Sequence, residues 1–210
     1  MKNYLISLCI IFTFASCAVT KPAVKATPID AATHQAELSA KYLDPKRTIL
    51  PPAALGELQK VGGLPFYAID PAYRVEATLE RFKDPETIKM QTSSTRLAEY
   101  EIFALATFEL NGKTVALPLY KSLRTDLAPK YQNLLFLPFK DQTSGKATYG
   151  GGRYLDLPIP DGDKLVIDFN MAYHPYCAYT TGYSCPVVPE DNFLDLAVEA
   201  GIKSVDLGAH

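Results

Sequence analysis

Residues 98–120 read AEYEIFALATFELNGKTVALPLY. Ala98, Tyr100, Ile102, Ala104, Ala106, Phe108 and Leu110 fall at every second position, the period of a strand with one buried face. Asn111-Gly112 follows at once, a pair suited to a two-residue turn whose central residues both take positive φ. Thr114 to Tyr120 then returns as a second apolar-rich run. The stretch predicts a β-hairpin with one core face carried by those seven even positions.

Runs of the same kind lie on either side: Tyr73–Phe82, Leu134–Phe139, Arg153–Ile159 and Leu165–Asn170. Six or more strands joined by tight turns predict a mainly β fold, an antiparallel barrel or sandwich. Before them, Ile29–Leu43 fits an amphipathic helix with Ile29, Ala32, Ala36, Ala40 and Leu43 on one stripe, and His34 on it reads as an exposed residue rather than a ligand. Pro51-Pro52 opens a short helical turn through Lys60 that Gly62-Gly63 stops. One or two short N-terminal helices therefore precede the strands.

Pro160-Asp161-Gly162 has the composition of a type I turn between the last two strands. A three-residue loop there pairs Ile159 with Asp163, Leu157 with Leu165 and Leu155 with Ile167. The core face is then Leu155, Leu157, Ile159, Leu165, Ile167 and Phe169, because a slip of one residue would bury the acids instead. On the other face Tyr154 stands across from Asp168, with Asp156 diagonal to it and Asn170 beyond.

The N-terminus carries an address. Lys2 precedes the apolar run Tyr4–Ala15, about a dozen residues where a membrane span needs roughly 20. Phe14-Ala15-Ser16-Cys17 then reads as a bacterial lipobox, with Cys17 lipidated as the first mature residue. On this reading residues 1–17 are a lipoprotein signal peptide and 18–28 a flexible tether, with 29–210 a single β-rich domain. The protein is then exported and held at the bacterial cell envelope by a lipid anchor, facing the periplasm, with the membrane as one partner. With Cys9 cleaved away and Cys17 lipidated, Cys177 and Cys185 are left to form a disulfide in an oxidising compartment. Closing that short loop stabilises by roughly 2–3 kcal/mol in the loop-entropy picture.

Composition narrows the function. With 21 basic and 23 acidic residues the net charge is −2, which gives no footprint for nucleic acid. Ser144-Gly145-Lys146-Ala147 lacks the upstream glycine and the hydroxyl of a phosphate-binding P-loop. No GxSxG elbow is present, and the three histidines are His34, His174 and His210. His174, Cys177, Cys185 and Asp168 have no zinc-type spacing, so neither metal nor cofactor is expected. Oligomeric state is not legible.

Three clusters could still bind. Tyr154, Asp156, Asp168 and Asn170 suit a polar pocket for a cation or a hydroxylated ligand, or else a solvated outer face. Asp141–Gly152 (DQTSGKATYGGG), followed by Arg153, suits an anion-binding concavity of backbone amides, or else a long connection that needs positive φ. Tyr173, Tyr176, Tyr179 and Tyr183 suit a wet binding surface, or else packing beneath the bridged loop.

The chain also carries Pro138, Phe139, Asp141, Thr143–Gly145, Thr148–Gly150 and Gly152–Leu155, then Asp168–Asn170, Ala172-Tyr173, Pro175 and Cys177–Tyr179, then Cys185-Pro186, Pro189 and Asn192. Together with Asp70–Val75 and the Thr92–Tyr100 stretch, these residues resemble the bacterial domain of unknown function 1684 family. That family has no established activity to lend. The resemblance implies a shared pocket built by Asp141, Thr143, Tyr149, Arg153, Asp168, Asn170 and Tyr173. His174 stands where the family usually has Asn, so a histidine mechanism would not be a family mechanism. The expectation is a binding module for a small polar ligand. The alternatives are a hydrolase using Asp168 as base with Asp156 as its partner, and a purely structural envelope protein.

Overall fold

The computed structural model describes residues 30–208. The expected signal peptide, Cys17 and the tether lie outside the described residues, as do Ile29 and His210. Among the described residues no helix is long and apolar enough to cross a membrane.

Two helices come first. α1 (Ala31–Leu43) is capped by Asp30, whose carboxylate accepts from the Thr33 amide at 2.9 Å. α2 (Pro52–Lys60) has its proline at N1, where the missing N–H has no cost. The buried side of α1 is not the alanine stripe: Ala32, Ala36 and Ala40 face solvent, while Ala31, Leu38 and Tyr42 turn inward. A tyrosine and a leucine remove far more apolar area from water than three alanines, so they set the rotation of the helix. His34 is accordingly half-buried rather than exposed.

Eight strands follow: β1 (Arg74–Arg81), β2 (Thr87–Gln91), β3 (Leu97–Leu110), β4 (Lys113–Ser122), β5 (Leu134–Asp141), β6 (Arg153–Pro158), β7 (Lys164–Asp168) and β8 (Phe193–Leu194). They form one sheet in the order β6-β5-β4-β3-β1-β7, with β2 added to β3 and β8 to β5. All pairings are antiparallel except β5 with β8. The sheet curls into a half-barrel around one apolar core, to which Leu119, Leu137, Phe139, Ile167 and Phe169 contribute fully buried side chains. A second apolar cluster joins the helices to the C-terminal chain through Tyr42, Leu58, Tyr179 and Ile202. β2 and β8, both short, were not expected from the sequence.

The β3–β4 hairpin turns on Asn111 (φ 50°) and Gly112 (φ 74°), the two positive values its sequence calls for. Its single face, however, is broken. The register jumps between Ile102 and Ala104, leaving Phe103 as an inserted bulge residue. Ala104, Ala106, Phe108 and Leu110 line the core, while Tyr100 and Ile102 come to share a face with Tyr120, the opposite side of the sheet.

The expected hairpin around Pro160 does not form. β6 pairs with β5 and β7 with β1, so these strands, neighbours in sequence, sit on opposite edges of the sheet. Pro158 and Pro160 have no N–H to give to such a ladder. The Ile159 amide donates instead to Asn133 O, and Asp163 O accepts from the Leu79 amide. The Arg81 guanidinium ties the connection down by donating to Pro160 O (2.6 Å) and Gly162 O (2.8 Å). Leu155, Leu157, Leu165, Ile167 and Phe169 are nonetheless buried, with Ile159 packed beside them. Alternation belongs to each strand separately and survives an exchange of partner.

Candidate functional site

The nine residues singled out as ligand-binding candidates do not converge. They divide among three places, with Tyr149 set apart from all three against His174.

Asp141, Thr143 and Arg153 lie inside the core. Arg153 is wholly buried, and its guanidinium donates to Asp141 Oδ2 (2.6 Å), to Val198 O (2.8 Å) and to Ala200 O. Asp141 also accepts from the amides of Thr143 and Val198, both at 2.9 Å, and from the Thr143 hydroxyl at 2.6 Å. Burial pulls the Arg153 pKa below its ordinary value and the Asp141 charge opposes this, leaving a guanidinium that is always charged. The loop that follows spends its amides internally: Gly145 on Thr148 O, Lys146 and Thr148 on Thr143 O, Gly152 on Tyr149 O. Those amides are not turned outward for an anion. Gly152 ends the loop at φ 93°, where a Cβ would meet Phe139 O at 2.6 Å and Val188 Cγ2 at 2.7 Å. Gly152→Ala is expected to lower stability by roughly 2 kcal/mol or more, read from urea denaturation; an unchanged midpoint would contradict this packing.

Asp168 and Asn170 brace the β7 edge. Asp168 Oδ1 accepts from the Asn170 amide (3.0 Å) and side chain (2.9 Å), and Arg74 Nε lies 3.9 Å from Oδ2. Asn170 is buried and reaches back to Asp70, donating to its carbonyl at 2.9 Å and accepting from its amide at 3.0 Å. Tyr149 packs against His174, the rings 6.0 Å apart, and its amide donates to His174 Nε2 at 3.2 Å.

Tyr154, Asp156 and Tyr173 remain, and they line a cleft of about 550 Å³ on the sheet face opposite the core. Alternation aims Phe136 of β5 and Tyr154 and Asp156 of β6 to that side, and the Phe103 bulge brings Tyr100 there too. The rings form a strip. Tyr100 stacks on Phe136 (5.5 Å, 22°), Phe136 meets Tyr154 edge-on (4.8 Å), and Tyr154 meets Tyr173 edge-on (5.9 Å). Burial pushes the Tyr100 phenol up to about 12 and that of Tyr173 well above its usual value, so both stay protonated. The Tyr173 hydroxyl donates to Asp156 Oδ2 at 2.9 Å, and the Tyr154 hydroxyl donates to Pro186 O. Asp156 is open to solvent yet sits in a concavity walled by protein. Desolvation there pushes its carboxyl pKa up, and the Tyr173 hydrogen bond opposes the rise.

The far wall is the bridged loop. Cys177 and Cys185 form the disulfide, Cα atoms 6.4 Å apart, with Tyr176 and Tyr183 packed edge-on at 4.9 Å between cleft and solvent. Tyr179 of the same loop turns inward, 5.0 Å from Tyr42 and buried. The loop is fastened to the β2–β3 turn: the Ser93 amide donates to Cys185 O at 2.8 Å, and the Ser94 and Ser184 hydroxyls meet at 2.8 Å. Lys41 from α1 and Arg96 from that turn complete the lining. Sequence reasoning placed neither in a site, nor Tyr100, Phe136 and His34, which also line the cleft. Among the described residues no group of three or more His, Cys, Asp or Glu is placed to hold a metal ion.

Comparison with known proteins bears on the fold and family. The family described as "Protein of unknown function (DUF1684)" matches residues 59–203. The solution NMR structure of an uncharacterized protein of Haloarcula marismortui is similar at 35% identity and a TM-score of 0.63, covering 82% of this chain and 91% of that one. No curated protein matches.

Proposed function

The chain belongs to the DUF1684 family, and from that premise we propose that it is a binding module that takes a small polar ligand into the aromatic cleft. One observation carries the reading: Asp156 stands among Tyr100, Phe136, Tyr154 and Tyr173 with one carboxylate oxygen on Tyr173 and, among the described residues, no partner for the other. A carboxylate flanked by aromatic faces suits a ring that stacks through its apolar side and donates a hydroxyl from its edge. A volume of about 550 Å³ is in the range of small-molecule sites.

Binding is favoured over hydrolysis by the fate of the second acid. Asp168, which a coupled pair would need, is occupied with Asn170 and Arg74 and does not line the cleft. The location proposed for this activity is the bacterial envelope, on the lipobox reading of residues 14–17.

The test is ligand-detected NMR on the purified protein against a panel of neutral sugars, sugar acids, sugar phosphates and aromatic acids. Asp156→Ala is expected to weaken a bound compound about tenfold or more, the scale of a charge-assisted hydrogen bond. Tyr173→Phe should weaken it less, and Asp168→Asn should leave affinity unchanged. A panel without a binder, or binding indifferent to Asp156→Ala, would sink the proposal.

A further inference from the structure

We infer that the ligand of this cleft is an anion: a hydroxylated ring carrying a carboxylate or phosphate, as in sugar acids and sugar phosphates. The inference rests on the cleft being a binding site and adds the charge of what it binds.

Two basic side chains reach the cleft from different elements, and both are held by neutral groups. Lys41 Nζ donates to the Tyr176 hydroxyl at 2.8 Å and lies 5.0 Å from the centre of that ring. Arg96 donates from Nε to Ser184 Oγ at 2.9 Å and from Nη2 to Ser184 O at 3.0 Å. Among the described residues neither meets a carboxylate within ion-pair distance. Arg124, the third basic residue of the lining, differs: Asp126 already holds it through two hydrogen bonds of 2.9 and 2.8 Å. Hydroxyls and carbonyls orient a cation without neutralising it, so Lys41 and Arg96 keep both their charge and spare donors. Lys41 has two further N–H groups and Arg96 has its whole Nη1 face.

Both cations are fixed to one loop. The Tyr176–Tyr183 ring pair lies between their anchor points, since Lys41 bonds Tyr176 and Arg96 bonds the residue after Tyr183. The Cys177–Cys185 bridge joins the residue after Tyr176 to the residue after Ser184, so it holds the two anchor points near each other. Of the two acids in the lining, Glu99 faces Lys89 across the β2–β3 pair, and Asp156 is on the strip with Tyr173. The cleft therefore offers an aromatic floor with a hydroxyl acceptor and a wall with two cations that, among the described residues, have no carboxylate within ion-pair distance. A ring with hydroxyls at one end and an acid at the other satisfies both at once.

The experiment is calorimetric titration of the purified protein at about pH 7 with glucose, glucuronate and glucose 6-phosphate, at low salt and at about 0.5 M salt, where exposed charges are largely screened. At least one anion is expected to bind about tenfold or more tighter than glucose at low salt, and its identity separates carboxylate from phosphate. Lys41→Gln and Arg96→Gln should each remove most of that advantage, read as the ratio of anion to glucose affinity in the same variant, and Arg96→Lys should restore part of it. Lys41→Gln leaves the Arg96–Ser184 anchor intact, so it reads charge even where Arg96→Gln disturbs the loop. Anions no tighter than glucose, or an advantage that survives both glutamine variants, overturns the inference while the cleft stays a site for neutral rings. If none of the three binds but a neutral compound of the wider panel does so through Asp156, the anion alone is lost. If nothing binds, both readings fall.

Discussion

Arg153→Met is expected to lower stability by about 3–5 kcal/mol, the cost of leaving a buried charge without its partner. Asp141 would be that charge, since it is 2% exposed and already accepts from Thr143 and Val198. The carbonyls of Val198 and Ala200 would lose their donor as well. Such a loss is a large share of the total for a domain of this size, about 5–15 kcal/mol, so the denaturation midpoint should fall by a comparable share. Asp141→Leu should cost a similar amount by stranding the guanidinium. The double variant should recover a good part of either loss, because apolar groups of matching shape can replace a buried pair. Urea denaturation followed by circular dichroism measures all three. A wild-type midpoint for Arg153→Met would take Arg153 out of the core scaffold and return it to the ligand candidates.

Acid should destabilise the protein through His174. Its pKa is held down at about 3, first by burial and then by the nearby Arg153 charge. The Tyr149 amide donates to Nε2, so the single imidazole proton sits on Nδ1, 3.3 Å from the Tyr179 oxygen that can accept it. A second proton has no place to go. In the unfolded chain the same side chain titrates near 6.5. As pH falls below about 6.5 the unfolded state takes up a proton that the folded state refuses until about 3, and stability drains away across that window. At about 1.4 kcal/mol per pH unit the loss by pH 4 is about 3 kcal/mol. His34 is shifted in the same direction by burial and adds to the slope. The informative quantity is therefore the difference between wild type and His174→Asn, which removes the titrating group and keeps an acceptor for Tyr149. Melting temperatures from pH 7 to pH 4 should fall more steeply for wild type; parallel curves would show that His174 is protonated without cost.

How much of this was legible depended on distance along the chain. Core faces could be read wherever a strand alternates, which is why Leu155, Leu157, Leu165 and Ile167 were placed correctly although their expected pairing is absent. Partner choice could not be read, because it is decided by amides such as that of Ile159 finding Asn133, far from the turn composition that suggested a hairpin. The bulge at Phe103 has no local signature either, and one inserted residue was enough to move Tyr100 from core to cleft. Asp141 and Arg153 looked like ligand residues because polar side chains in a glycine-rich block usually face solvent. Their true partners, Val198 and Ala200, stand more than forty positions later in unremarkable sequence. For the tyrosines of 173–183 the sequence leaves surface and packing open, and the structure uses both: Tyr173, Tyr176 and Tyr183 line the cleft while Tyr179 packs inward. The Thr92–Tyr100 stretch holds Arg96 and Tyr100 in plain sight. What it lacked was any sign that this turn and the bridged loop would meet.

The capping of Arg153 by Val198 and Ala200 has a consequence in time. Synthesis runs from N-terminus to C-terminus, and every strand among the described residues is made before residues 198–200. Until they emerge, the guanidinium beneath β6 lacks two of its acceptors and Asp141 lacks the Val198 amide. A sheet closed at that stage would bury the Arg153–Asp141 pair with part of its hydrogen bonding missing, which costs stability. The closed sheet is therefore expected only once residues 198–200 have been made, since they complete the hydrogen bonding of Arg153 and Asp141.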